Sequence, residues 1–167
     1  MVGNIYRLGQ VKIEFEEIGN LSNKFTISET FKEDDVTLVS EKELFSVEVD
    51  QKSGPVEEFI ISQNVTFTAS IPVNLELLTK LTNTWKEGTS GFSLGGLGSE
   101  LKKFKVSIVP KGKTATNGST FVIPVGSVNV VENFAYKMQG LTKATLTIKA
   151  VSDENDNVLQ TGDYVPA

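Results

Sequence analysis

Residues that could do chemistry are few in this chain, and its composition restricts the reactions that it could support. The 167 residues include neither histidine nor cysteine. Histidine is the commonest general base and zinc ligand, and cysteine supplies the reactive thiolate, so catalysis by Ser-His-Asp or by a thiol is excluded. Serine–lysine and paired-carboxylate mechanisms stay formally open, but nothing in the sequence points to them. We therefore predict that the protein is not an enzyme.

Two segments approach ligand-binding motifs without completing them. Residues 107–114, SIVPKGKT, resemble a phosphate-binding loop, but Ser107 replaces its first glycine and turn-forming residues follow where a helix is needed. In the segment that begins at Asp153, Val158 stands where a calcium loop requires glycine, and Tyr164 stands where it requires glutamate. We therefore predict no cofactor and no metal site.

The charge balance and the hydropathy pattern restrict the partners. Tight binding to phosphates needs clustered lysine and arginine, so a chain with a net charge of −5 is not expected to hold nucleic acid tightly. No apolar run approaches the length of a membrane span, and no apolar segment follows a basic N-terminus. We therefore expect no membrane contact, and synthesis and assembly in a cytoplasm.

One stretch, residues 59–85, organises the predicted fold because its apolar period changes from two residues to three or four. Its first half predicts a strand with one buried face, built from Val65, Phe67, Ala69 and Ile71. Pro72 then predicts the start of a helix over about 72–86, capped by Ser70 or Ile71. The apolar stripe of that helix consists of Leu75, Leu77, Leu78, Leu81 and Trp85.

Similar alternation predicts seven to nine short strands in all, by the period-two rule. One of them begins at Phe45, with Phe45, Val47 and Val49 facing inwards. No βαβ rhythm appears, so we predict a mainly β single domain over 1–167, an antiparallel β-sandwich or partly closed barrel with one flanking helix. Residues 1–10 are expected to form an N-terminal arm. The charge-rich residues 29–44 are expected to form a projecting loop or hairpin, either solvated or an assembly contact.

The chain resembles the tail tube (major tail) proteins of tailed bacteriophages and their relatives in contractile injection machines. Three segments prompt this: the arm that ends in LGQVKIEF, the stretch VEVDQKSGPVEEFIISQNVTFTASI that leads into VNLELLTKL, and the C-terminal KATLTIKAVSDENDNVLQTGD. The order of elements matches from end to end. The resemblance implies a β-sandwich or barrel with one flanking helix, rings usually of six subunits, and stacking of the rings into a hollow tube that conducts DNA.

The resemblance also implies partners and a location. The chain would contact itself within and between rings, with tape-measure, tail-terminator and baseplate proteins as further partners and DNA only as a non-specifically transiting cargo. Its place would be the virion tail, assembled in the bacterial host cytoplasm. Such assembly agrees with one-sided strands, because closing a ring covers exposed sheet edges.

Two sets of site residues follow from this interpretation. The residues predicted to contact other subunits are Phe31, Lys32, Glu33, Asp34, Asp35, Val36, Leu38 and Trp85. Trp85 could equally be an ordinary core residue, and its assembly role is that of a packing anchor. The residues predicted to face the lumen are Glu14, Glu16, Ser46, Glu48, Thr66 and Thr68.

Two other classes of protein stay open. The first is another virion or secretion-system β protein, such as a single-ring tube protein or a tail-completion factor, which would not stack. The second is a ligand-binding β-sandwich module, which would need exposed aromatic residues on one sheet face. Most phenylalanines fall at inward positions of the predicted strands, which disfavours the second class.

Overall fold

The computed structural model describes residues 2–31, 35–49, 54, 57–111, 120–133 and 142–161. Within these residues it contains eleven strands and one helix. In chain order they are β1 (Val2–Leu8), β2 (Val11–Glu17), β3 (Lys24–Ile27), β4 (Val36–Val47), β5 (Glu57–Val73), α1 (Leu75–Leu81), β6 (Trp85–Gly88), β7 (Gly91–Leu94), β8 (Lys103–Pro110), β9 (Phe121–Asn133), β10 (Thr142–Val151) and β11 (Gln160–Thr161).

The strands form one large sheet and one small one. The large sheet has the order β1-β4-β5-β10-β9-β8-β2-β3, with β11 beside β9, and β6 pairs only with β7 in the described part of the chain. Every pairing that the structure describes is antiparallel. The path ends at β1 and β3, so the described sheet is open and not a barrel. The predicted mainly β, antiparallel sandwich with one helix is confirmed.

Inward side chains from both halves of the sheet form one core. On β2 the alternation of buried Val11, Ile13 and Phe15 with more exposed residues is as predicted. The Phe15 ring stacks on that of Phe25, with centroids 5.0 Å apart, and meets the edge of Phe104 at 5.6 Å. Because β2, β5, β8, β9 and β10 bury residues in the same cluster, the outer faces of the two halves point away from each other.

The predicted helix is shorter than expected and begins later. Pro72 lies inside β5, beyond Thr68, where the pairing of β4 with β5 ends, so its missing N–H costs no bond to β4. Asn74 is the N-cap, and its side-chain oxygen accepts a hydrogen bond from the backbone N–H of Leu77 at 2.8 Å. The prediction that Pro72 opens the helix below a Ser70 or Ile71 cap was therefore wrong.

Trp85 does not belong to the helix. The helix ends at Leu81, and Trp85 begins β6, half-buried, with its indole Nε1 donating to Glu132 Oε1 at 2.7 Å. The two helical residues that enter the core are Leu78 and Leu81. The predicted apolar stripe was therefore one turn too long. Trp85 follows Leu81 by four residues, which is a helical spacing, but it packs against the core from β6.

The segments predicted as an N-terminal arm and as a projecting loop or hairpin both contain strands. Residues 2–8 of the predicted arm form β1, which pairs with β4 from Val2↔Lys42 to Leu8↔Val36. Residues 36–44 of the predicted loop lie within β4, between β1 and β5. Val36 and Leu38 are buried in the core. The charged residues that follow them made this part of β4 look like a loop.

We expect Leu78→Ala to lower the free energy of unfolding by about 2–5 kcal/mol, because it leaves a cavity where α1 meets the sheet. Urea denaturation measures this change. Leu97→Ala is the matched control, since Leu97 is fully exposed and its truncation should change the stability by less than about 0.5 kcal/mol. Equal stabilities of the two variants would show that α1 is not part of the cooperative core.

Candidate assembly interface

β4 and β5 form a hairpin that projects beyond the core. β10 pairs with β5 only from Thr66 onwards, and β1 pairs with β4 only as far as Lys42, so the distal part of the hairpin is two-stranded in the described chain. The first core residue of β5 is Val65, and eight residues of β5 precede it. At about 3.3 Å per residue, this overhang is roughly 25 Å long. We call residues 44–49 and 57–61 the hairpin end.

The hairpin end exposes large apolar side chains on both of its faces. Phe45 pairs with Phe59, and Leu44 pairs with Ile60, so neighbouring pairs point to opposite faces. Phe45, Phe59 and Ile60 are 55 %, 51 % and 56 % exposed, and Ile61 is 58 % exposed. Isolated exposed apolar residues are ordinary, but a contiguous group on both sides of one hairpin is typical of an interaction surface.

Acidic residues flank these apolar side chains. Ser62 Oγ donates to Glu43 Oε2 at 3.2 Å, and Ser46 Oγ donates to Glu58 Oε1 at 3.4 Å. Around the hairpin end the described acidic residues are Glu41, Glu43, Glu48, Glu57 and Glu58, against a single described lysine, Lys42. The hairpin end is therefore apolar at its centre and negative at its margin.

A cavity of about 430 Å³ lies near the opposite end of β4, where β2 and the chain after β3 separate. Their pairing ends at Ile13↔Ile27, and the chain then crosses to the other half of the sheet, where the Phe31 N–H donates to the Ser70 carbonyl at 3.0 Å. This separation opens the cavity. Its lining consists of Gln10, Val11, Lys12, Ser28, Glu29, Thr30, Val109, Pro110 and Lys111, and we call it the Thr30 cavity.

Thr30 divides this cavity from a smaller one of about 140 Å³, which Leu8 and Val36 help to line. Thr30 is 7 % exposed, and its Oγ1 has no hydrogen-bond partner within the described structure. Buried hydroxyl groups are normally hydrogen-bonded, so this atom is an exception. At the cavity margin, Lys111 Nζ donates to Gln10 Oε1 at 3.0 Å.

The predicted inter-subunit residues divide into three groups. Lys32, Glu33 and Asp34 lie outside the described residues. Phe31 is half-buried, with Lys143 Nζ 5.5 Å from its ring centroid, and Asp35 is exposed near the smaller cavity. The third group consists of Val36 and Leu38, which are buried in the core, and Trp85, which is half-buried against it. Val36 and Leu38 are 2 % and 0 % exposed, so the structure places both in the core of the subunit and not on its outer surface.

Sequence reasoning missed the hairpin end. It placed Phe45 and Val49 on the inner face of a core strand, but both are exposed, so that prediction was wrong. One signal was present: Phe59, Ile60 and Ile61 are consecutive, and a strand cannot turn three successive side chains to one core. β4 also shifts register against β5 here. Glu43 pairs with Ser62 and Leu44 pairs with Ile60, so Ile61 is an extra residue on β5, as in a β-bulge.

The predicted lumen residues occupy three separate places. Glu14 and Glu16 lie on the outer face of β2, where their carboxylates pair with Lys12 at 3.0 Å and Lys24 at 3.6 Å. Ser46 and Glu48 are exposed at the hairpin end. The remaining two, Thr66 and Thr68, lie on the outer face of β5, in the other half of the sandwich from β2. The structure therefore does not bring the six residues onto one surface.

The outer face around Thr68 is rich in hydroxyl groups. Thr68 lies in register with Thr37 on one side and with Thr147 on the other, and Thr147 with Asn129. These four residues, on β4, β5, β10 and β9, are uncharged and form a polar strip across the sheet, which we call the uncharged strip. The register continues to Arg7 on β1, the partner of Thr37, and Lys149 is the partner of Thr66 in the neighbouring row of the same face.

No protein-family model and no curated protein matches the chain. Among the described residues, no group of three or more acidic side chains is placed to hold a metal ion. Over the same residues, α1 is the one helix, and it is too short to cross a bilayer. The features that remain for a functional argument are the hairpin end, the Thr30 cavity and the uncharged strip.

We expect Thr30→Val to raise the free energy of unfolding of the monomeric subunit by about 1 kcal/mol, because it replaces an unpaired buried hydroxyl by a methyl group of similar size. Urea denaturation in dilute solution measures the change. Thr26→Val, at an exposed position of β3, is the control and should stay within about 0.5 kcal/mol. A loss of stability at position 30 would show that the hydroxyl is satisfied within the subunit.

Proposed function

We propose that the protein is a structural subunit of a phage tail tube, in which rings of usually six copies stack into a hollow conduit for DNA. The observation that carries this proposal is the hairpin end, which exposes apolar side chains on both faces beyond the core. The resemblance of the sequence to tail tube proteins identifies the kind of assembly. The protein acts in this role by self-association and without catalysis.

The hairpin end favours assembly because its apolar surface has no cover within the described subunit. Removing one large apolar side chain from water contributes about 1.5–3 kcal/mol. Phe45, Phe59, Ile60 and Ile61 are each a little over half exposed, so burying all four would contribute about 3–6 kcal/mol towards the cost of association. Since they point to both faces, each face of the hairpin end offers apolar surface to a partner.

The open sheet supports closure into a ring. β1 and β3 each pair on one side only in the described chain, so each leaves a row of backbone groups at a sheet edge. Unpaired edges favour the addition of another strand, and head-to-tail closure of identical subunits removes them. The ring proposed from the resemblance would therefore cover edges that the monomer leaves open.

The uncharged strip suits a surface that passing DNA must not stick to. Attraction to phosphates requires lysine and arginine, and the four residues of the uncharged strip are neither, although Arg7 continues its register on β1 and Lys149 pairs with Thr66 beside it. From the resemblance we place this strip on the lumen side of the ring, with Thr66 and Thr68 as lumen residues. Tape-measure, tail-terminator and baseplate proteins would then meet the tube at its bore and its ends in the virion tail.

We expect the double variant Phe45→Ser/Phe59→Ser to raise the concentration needed for assembly at least tenfold, since it removes two apolar side chains from the hairpin end. Both residues lie outside the core, so the monomer should keep its circular dichroism spectrum, and the loss of their cross-strand contact should lower its stability by no more than about 1 kcal/mol. Negative-stain electron microscopy and sedimentation over a concentration series measure assembly. The matched control is Leu21→Ser, at an exposed turn outside the hairpin.

Stacked rings or tubes of the unaltered protein support the proposal. A protein that stays monomeric at every concentration and salt condition would contradict it. Single rings that never stack would instead favour a single-ring tube protein or a tail-completion factor. Unchanged assembly of the double variant would show that the hairpin end is not the contact.

A further inference from the structure

We propose that the Thr30 cavity of one copy receives the hairpin end of a second copy. This inference rests on the proposed self-assembly and names the surface that the projecting hairpin binds. Two properties of the two surfaces support it: their positions in the subunit and the charges at their margins.

The two surfaces lie at opposite ends of one strand. β4 begins at Val36, which lines the cavity adjoining Thr30, and ends at Val47 in the hairpin end. Its twelve residues span roughly 36 Å at about 3.3 Å per residue. A projection at one end and a cavity at the other cannot meet in one copy, but they can meet between copies. Such a contact repeats from subunit to subunit in one direction.

The charges of the two surfaces are opposite. The hairpin end is bordered by Glu43, Glu57 and Glu58, whereas Lys12 and Lys111 border the Thr30 cavity. Lys12 forms an exposed ion pair with Glu14 at 3.0 Å within the subunit, so Lys111 is the lysine more open to a partner's carboxylate. Glu29 is the acidic residue in the lining of the cavity. Opposite potentials steer association and fix its orientation. Val11, Val109 and Pro110 give the lining an apolar part, and Gln10, Ser28 and Thr30 give it a polar part.

A cross-linking experiment tests the contact directly, since the chain has no cysteine of its own. Ser28→Cys places a thiol in the cavity lining, and Ser46→Cys places one on the hairpin end, both at exposed serines. The two full-length variants are mixed at assembling concentration and treated with a short thiol cross-linker. We expect at least tenfold more covalent dimer in the mixture than in either variant alone, measured on a denaturing gel.

The matched control replaces Ser28→Cys by Ser93→Cys, at an exposed position of β7. Equal yields from positions 28 and 93 would overturn the inference. Electron microscopy of the same samples separates the two proposals. Tubes without a dimer between positions 28 and 46 would overturn the inference and leave the tube proposal standing. The absence of both tubes and dimer would overturn both.

Charge reversal gives an independent measurement. Lys12→Glu/Lys111→Glu should raise the assembly concentration at least tenfold, and so should Glu57→Lys/Glu58→Lys in a separate protein. A mixture of the two proteins should form alternating contacts and recover assembly at the original concentration. Failure of the mixture to recover, with both variants folded by circular dichroism, would show that these charges do not meet.

Discussion

A strand longer than the core that it serves is the constraint on which the structure depends. β5 has seventeen residues, and only those from Val65 onwards alternate between core and solvent. Burial of Val65, Phe67 and Ile71 fixes the position of β5 between β4 and β10. The rest of the strand must then extend away from the sandwich. The second half of β4 extends with it, because the two strands stay paired as far as Val47 and Glu57. The hairpin end is thus a consequence of where the core stops.

The sequence predicted those strands in which apolar and polar residues alternate without interruption by proline or by a run of charges. Val11, Ile13 and Phe15 show period two without interruption, and their strand formed as predicted. The prediction failed where charge or proline outweighed the pattern. Pro72 favours a helix start locally, but pairing with β10 continues the strand through it. Val36 and Leu38 are apolar positions of a true strand that precede a charge-rich run.

The assembly surfaces could be predicted less well than the fold, because they depend on residues far apart in the chain. Lys111 and Gln10 meet at the Thr30 cavity although about a hundred positions separate them, and no local pattern brings them together. Thr30 is an ordinary turn residue by its type, and its burial depends on the chain crossing between the two halves of the sandwich. Phe59 and its neighbours did carry a local signal, since three apolar residues in a row do not fit a one-sided strand.

The register shift at Glu43 has a consequence for how such a hairpin can change in evolution. On the core side of the shift, before Leu44 in β4 and after Ile61 in β5, gaining or losing one residue would turn the core side chains to the solvent, which selection would remove. In the hairpin end both faces are apolar. An insertion or deletion of one residue there would reverse the two faces, and each would still be apolar. Related chains can therefore vary in length there, and adjust how far they reach towards a neighbour, while their sandwich stays intact.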